Sequence, residues 1–102
     1  MTVEESFERV ADRLAAGDEA LERGRIFRSS GLRTRGHFFA FARRGELVVK
    51  LPADRVAALV ESGEGAPFRS GTRVMREWVV LLPADDDACA GYVGEARRFA
   101  DS

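Results

Sequence analysis

The sequence has very few of the residues that build covalent or metal-bound sites. Its 102 residues include one cysteine, Cys89, and one histidine, His37. A lone cysteine excludes an internal disulfide, which is typical of proteins from a reducing compartment. A lone histidine excludes any metal site that takes two histidines from this chain.

Long apolar stretches are also missing. No run comes close to the roughly 18 apolar residues that a membrane-spanning helix needs. The N-terminus is polar from Thr2 onward and has no apolar signal-peptide centre. The sequence therefore predicts a cytoplasmic protein with no membrane partner.

Acidic residues are absent from one segment, residues 23–45, which carries seven arginines. The flanking segments are acidic, with net charges of −5 for residues 1–22 and −3 for residues 46–102. The total is only −1, so the whole molecule does not attract nucleic acid or membrane by its charge. The arginine-rich segment is the one electrostatic asymmetry of the chain.

The apolar residues that are present predict a single α+β domain over residues 1–102, long enough for one core. Thr2 and Glu5 have the spacing of a capping box, and Val3, Phe7 and Val10 follow it at helical intervals. Short aromatic and β-branched runs separated by glycine then predict an antiparallel sheet. We expect a two-layer fold in the order α-β-β-β-α-β-β-α, with the helices on one face of the sheet.

Three strands are predicted before the middle helix. The first runs over residues 25–35 with a bend or bulge at Ser29-Ser30-Gly31. His37–Arg43 is the second, and strand periodicity places Phe39 and Phe41 on one face of it and Phe38 on the other. Residues 47–51 form the third, after a tight turn at Arg44-Gly45.

The second half of the chain is predicted to hold two helices and a strong strand. Pro52 fits the first turn of the middle helix, and Gly63 ends it. Residues 64–72 fit either an exposed loop or a short strand. Trp78 belongs to the strong strand that follows, and Pro83 ends that strand. Asp85-Asp86-Asp87 places negative charge at the start of the last helix, where the helix dipole favours it.

Five short motifs, in this order, resemble the N-terminal domain of the TfoX/Sxy competence regulators, which are related to the YjbR/MmcQ-like bacterial proteins. They are Arg25-Ile26-Phe27-Arg28-Ser29-Ser30-Gly31-Leu32, Gly36-His37-Phe38-Phe39-Ala40, Leu47-Val48-Val49-Lys50, Pro67-Phe68, and the strand that runs from Met75 to Pro83. The likeness extends over nearly the whole chain. Arg28 stands where the family usually has glycine.

The resemblance implies a two-layer α+β fold and a regulatory role in DNA uptake, exerted together with a cyclic-AMP-responsive transcription factor. Longer family members carry a second, helical domain. The family supplies no catalytic residues to transfer to this chain.

The residues themselves predict no catalytic, cofactor or metal site. Cys89 and His37 lie in no nucleophile motif, and no third, orienting group is defined for them. Ser29-Ser30-Gly31 lacks the spacing of a nucleophile elbow. Gly63-Glu64-Gly65 lacks the spacing of a phosphate loop and carries an acid that would repel phosphate. We therefore predict that the protein is not an enzyme.

The arginine-rich segment is the candidate contact surface, and three interpretations of it are open. The arginines could pair with acids of the flanking helices and form a neutral surface. They could instead bind nucleic acid, with Phe38 stacking on a base, or an acidic protein. Arg33 and Arg35 are expected on one strand face. The predicted contact residues are Arg25, Arg28, Arg33, Arg35, Arg43 and Arg44.

The function predicted from the sequence is a non-catalytic regulatory or protein-interaction module that resembles the TfoX/Sxy N-terminal domain. Its partner is expected to be another protein, by resemblance a transcription factor. The alternative is nucleic-acid binding through residues 23–44. Apolar residues on both faces of residues 79–82 further suggest a homodimer.

Overall fold

The computed structural model describes residues 2–102. Over this range it has three helices and six strands, which follow one another as α1 (Val3–Ala16), β1 (Leu21–Ile26), β2 (Ser29–Thr34), β3 (His37–Arg43), β4 (Glu46–Lys50), α2 (Ala53–Ser62), β5 (Gly65–Ser70), β6 (Arg73–Leu81) and α3 (Asp86–Ala100). No helix within residues 2–102 is long and apolar enough to cross a lipid bilayer.

The strands form one antiparallel sheet in the order β1-β2-β3-β4-β6-β5. All three helices contribute to a single core on one face of this sheet, for example through Phe7 of α1, Leu59 of α2 and Val93 of α3. We call this the covered face. The predicted α+β class and its two layers are confirmed.

The predicted helix ends at Thr2, Gly63 and Asp85 are confirmed, whereas Pro52 is the N-cap of α2 and lies just outside its first turn. The Thr2 hydroxyl accepts a hydrogen bond from the Glu5 N–H, and the Glu5 carboxylate accepts one from the Thr2 N–H. The Asp85 carboxylate caps α3 by accepting from the Ala88 N–H. Gly63 ends α2 in the left-handed conformation, with φ of 83°. These ends depend on local chemistry, which is why the sequence predicts them well.

The predicted bend at Ser29-Ser30-Gly31 is wrong, because two strands occupy the place of one. Ile26 pairs with Ser29, so Phe27 and Arg28 form a two-residue hairpin turn. Both have positive φ, 51° and 63°, as a type I′ turn requires. Such turns usually contain glycine or asparagine, and their absence concealed this hairpin in the sequence. Four strands therefore precede α2.

The prediction that Phe39 and Phe41 share a face is also wrong. The register between β2 and β3 shifts at Leu32/Arg33, where Leu32 pairs with Ala40 and Arg33 with Phe38. Phe39 is the extra residue, and such a bulge breaks the alternation of faces. Phe39 consequently lies in the covered core, whereas Phe41 packs on the opposite face. Both side chains are fully buried.

Residues 65–70 form an edge strand rather than a loop. Strand β5 pairs with β6, and their register shifts between Pro67 and Phe68. Phe68 is buried and joins the cluster that contains Phe41. Pro67 pairs with the core residue Val79, so the next residue, Phe68, lies on the sheet face opposite the helices.

The sheet face opposite the helices carries a second, smaller apolar cluster. We call it the open face, because none of the three helices contributes a residue to that cluster. Within residues 2–102, the members of that cluster belong to the strands, and Phe27 of the β1–β2 turn packs against them. The apolar side chains of this face are Ile26, Phe27, Phe38, Phe41, Val48, Phe68, Met75, Trp78 and Val80.

Candidate functional site

Four aromatic rings form a continuous group on the open face. The Phe41 ring is at its centre, with its centroid 5.7 Å from those of Phe27, Phe68 and Trp78. Phe41 and Phe68 are buried, but Phe27 remains 51% exposed. Tilted rings at these separations contribute roughly 0.5–1.5 kcal/mol per pair beyond their buried area. The group therefore holds the exposed Phe27 ring in a fixed place.

Arginine side chains lie across the rings of this face. The guanidinium carbon of Arg43 is 5.0 Å from the centre of the Phe68 ring, and that of Arg33 is 5.7 Å from the centre of the Phe38 ring. Both distances allow a cation–π attraction. The open face thus combines aromatic and cationic groups.

One group of predicted contact arginines meets at a single end of the sheet. Because neighbouring strands are antiparallel, the β1–β2 and β3–β4 turns lie at the same end. Arg28 belongs to the first turn and Arg44 to the second, and Arg43 ends β3 just before it. Arg25 joins this group, since its Nη2 donates to the Arg28 carbonyl at 2.7 Å.

The other predicted arginines, Arg33 and Arg35, lie toward the opposite end. Strand β2 ends at Thr34 and Arg35 occupies the β2–β3 turn with φ of 53°, so the two do not share a strand face as predicted. Arg33 has a carboxylate partner, Glu22, at 3.6 Å on the neighbouring strand. The six arginines are consequently not one cluster.

Pairing with the flanking acids explains only part of the arginine-rich segment. Arg23 contacts Glu8 at 2.6 Å and also Asp12, both on α1. The remaining five arginines form no ion pair with a carboxylate of residues 2–102, and these five are Arg25, Arg28, Arg35, Arg43 and Arg44. Four of the five are at the end where the first and third hairpin turns meet.

A cleft of about 550 Å³ opens between these two turns and α1. We call its aromatic and cationic wall, which consists of the exposed Phe27, Arg28 and Arg44 and the half-buried Arg43, the basic tip. Ser29 and Ser30 add hydroxyl groups, and Glu4 and Glu8 of α1 line the other side.

Both glutamates of the cleft already have partners. The Glu4 carboxylate accepts from the Gly45 N–H, with N–O distances of 3.1 and 3.0 Å. The Glu8 carboxylate binds Arg23. Partial burial is the largest single influence on the pKa of Glu8 and would raise it, but the hydrogen bonds from Arg23 and Ser30 together lower the pKa below its usual value. The acids of the cleft are therefore used within the fold, whereas Arg28 and Arg44 remain exposed.

The backbone of the basic tip is strained. Left-handed φ values are uncommon for bulky residues, and they cost on the order of 1 kcal/mol or more each. Phe27 and Arg28 both adopt them, and Arg44 does so with φ of 52°. Arg28 and Arg44 are among the contact residues predicted from the sequence, but Phe27 is not. Phe27 could have been predicted because it is an aromatic residue between Arg25 and Arg28, in a stretch that is short enough to form a turn.

The two residues considered for nucleophilic chemistry lie in different surroundings. Cys89 is fully buried in the covered core, and burial raises the pKa of its thiol. His37 is exposed and lines a cleft with Lys50 and Glu77. Among residues 2–102, no group of three or more histidine, cysteine, aspartate or glutamate residues could hold a metal ion.

Comparison with known proteins adds no family assignment. The chain matches no protein-family model, no curated protein and no solved structure. The likeness to the TfoX/Sxy N-terminal domain therefore remains a prediction from the motifs.

Proposed function

We propose that this domain is a non-catalytic regulatory module that binds another protein through the open face of its sheet. One observation carries the proposal: a six-stranded sheet has helices on one face only, and its other face bears aromatic rings crossed by arginines. The resemblance to the TfoX/Sxy N-terminal domain agrees with this role. By that resemblance the partner is a transcription factor.

The composition of the open face supports a protein partner. Aromatic residues, methionine and arginine are enriched at protein interfaces, and the strongest contacts cluster around buried aromatic anchors. Trp78, Met75 and Val80 are half-buried in the free domain, so a partner would remove further apolar surface from water. Arg33 and Arg43 would then lie within the interface, where a partner's acidic groups would match them.

The surroundings of the potential nucleophile support a non-catalytic role. A reactive cysteine needs an accessible thiolate, and Cys89 has neither solvent access nor a lowered pKa. His37 is the first residue of β3 and is exposed. Within residues 2–102 it shows no hydrogen bond to a carboxylate that would orient it as a base.

The test is a pair of substitutions that add the same charged side chain to opposite sides of the domain. Val80 is half-buried on the open face, between Val48 and Ala66 of the neighbouring strands. Ala58 is exposed on α2, on the helical side. We expect Val80→Arg to weaken binding of the partner purified from the native host by about tenfold or more, because it places a charge in the apolar contact. Ala58→Arg should leave the affinity unchanged.

The measurement is titration calorimetry with the purified partner, with the mass of the free domain taken by light scattering. Equal weakening by both variants, or by neither, would contradict docking on the open face. A free domain that is already a dimer, and that Val80→Arg converts to a monomer, would show that a second copy occupies the face instead.

A further inference from the structure

We propose that the basic tip is a second binding site, which takes single-stranded nucleic acid by stacking a base on Phe27 and binding its phosphates with Arg28 and Arg44. This site lies at the end of the sheet and shares Phe27 and Arg43 with the open face, whereas its phosphate-binding residues Arg28 and Arg44 belong to the two turns. It also limits the predicted nucleic-acid contacts of residues 23–44 to four side chains of one cleft.

The Phe27 ring is exposed and held in position. It is 51% exposed, while its ring centroid lies 5.7 Å from that of Phe41 and 6.0 Å from that of Phe68. A ring that is already fixed loses little conformational entropy on binding. Stacking of a base on such a ring is worth roughly 1–3 kcal/mol and tolerates any base. The strained turn is what directs Phe27 outward, and strain of this kind is concentrated at functional positions.

The charges around the ring suit phosphate. Arg28, Arg43 and Arg44 line the cleft and form no ion pair with carboxylates of residues 2–102. The two glutamates opposite them are bound to the Gly45 N–H and to Arg23. Guanidinium groups bind phosphate oxygens in pairs of hydrogen bonds, so Arg28 and Arg44 can each take one phosphate of a strand that crosses the tip.

The occupant that uses every one of these groups is a single strand. Bases inside a duplex are stacked on one another and present only their edges, so Phe27 could not reach a base face. An acidic peptide would pair with the arginines but would give the ring no planar partner. The cleft of about 550 Å³ lies within the range of small-ligand sites, roughly 300–1,000 Å³, which fits a short stretch of strand.

The experiment measures fluorescence anisotropy of a short labelled oligothymidylate with the purified domain, starting at about 50 mM salt. We expect binding that weakens as salt rises, with a log–log slope of about −1.4 for two phosphates neutralised on a single strand. The double variant Arg28→Gln, Arg44→Gln should bind on the order of tenfold more weakly and flatten the slope to about zero. Phe27→Leu should weaken binding about fivefold or more at an unchanged slope.

The matched control uses the turn at the other end of the sheet. Arg35 is exposed, and like Arg44 it is the first residue of a two-residue turn whose second residue is glycine. The two arginines also have nearly the same φ, 53° for Arg35 and 52° for Arg44. Arg35→Gln should therefore change neither the affinity nor the slope. Val80→Arg should likewise leave the affinity for the strand intact, which separates this site from the open face. Circular dichroism melting confirms that each variant is folded.

Three results would overturn the proposal. One is no binding of the oligonucleotide by the native domain at low salt. Another is an equal loss of affinity in Arg35→Gln and Arg44→Gln, which would mean diffuse attraction to the total positive charge. The third is that a glutamate-rich peptide binds as well as the strand and that Phe27→Leu has no effect, which would assign the tip to acidic proteins.

Discussion

Gly31 and Phe38 fit together across strands β2 and β3: a Cβ atom at position 31 would lie 3.1 Å from Cδ1 of Phe38. The same atom would lie 3.1 Å from the Ala40 carbonyl oxygen and 3.1 Å from Cγ2 of Ile26. A side chain at this position would displace the Phe38 ring that Arg33 covers. The absence of a side chain at Gly31 is therefore a packing requirement of the open face.

We expect Gly31→Ala to lower the free energy of unfolding by about 1 kcal/mol, because overpacking costs more than the added methyl group contributes. The matched control is Gly91→Ala in α3, where a Cβ atom meets nothing within 4 Å. That variant should stabilise the domain by about 1 kcal/mol through helix propensity. Urea unfolding of both variants tests this, and a stabilising effect of Gly31→Ala would contradict the packing described here.

A substitution that relieves backbone strain in the first hairpin turn should raise the free energy of unfolding and lower the affinity for the oligonucleotide. Arg28 has φ of 63°, a conformation that glycine adopts without steric cost. We expect Arg28→Gly to raise the free energy of unfolding by about 1 kcal/mol and to weaken oligonucleotide binding.

The neighbouring Arg25 provides the control for this change. It is exposed within strand β1 and lies outside the turn, so Arg25→Gly should be destabilising by roughly 0.5–1 kcal/mol. Thermal melts of the two variants should shift in opposite directions. Shifts of the same sign would contradict a strained type I′ turn.

The contact between α1 and α3 should make stability fall in acid. Hydrogen bonds from Arg9 and then from Ser6 lower the pKa of Asp86 from 3.8 to about 2. Since the folded-state pKa lies below the unfolded value, the ionised Asp86 stabilises the domain above about pH 4, and this contribution is lost as the pH falls toward 2.

We therefore expect Asp86→Asn to remove part of the loss of urea resistance between about pH 4 and pH 2, since the pKa values of Glu5, Glu8 and Asp18 are lowered as well. Asp87→Asn is the control, because this carboxylate is exposed in the same helical turn and forms no ion pair within residues 2–102. It should keep the native pH profile. An unchanged profile in Asp86→Asn would mean that other carboxylates govern acid unfolding.

The single thiol should be protected by the fold. Cys89 is fully buried, and burial raises the pKa of its thiol, so little reactive thiolate is present. We expect Ellman's reagent to label the native domain only as fast as it opens, and to label it at once in concentrated urea. Immediate labelling of the folded protein would contradict the buried position of α3 on the sheet.

The sequence by itself determined the helices and the fold class. Capping groups such as Thr2 and Asp85, and the helical spacing of Phe7 and Val10, act within a few residues of one another. Local interactions of this kind can be recognised from order and spacing alone. The same is true of the arginine excess in residues 23–45 and of the glycine-containing turns.

Only the tertiary structure decided which arginines meet and which aromatic rings face solvent. The Phe27-Arg28 turn has no glycine to mark it, and the bulge at Phe39 has no signal in the alternation of its strand. Strand register is set by pairing with a neighbour, and one extra residue moves the next side chains to the other face. The basic tip follows from that pairing, because antiparallel strands bring Arg28 and Arg44, sixteen positions apart in the chain, to one end of the sheet.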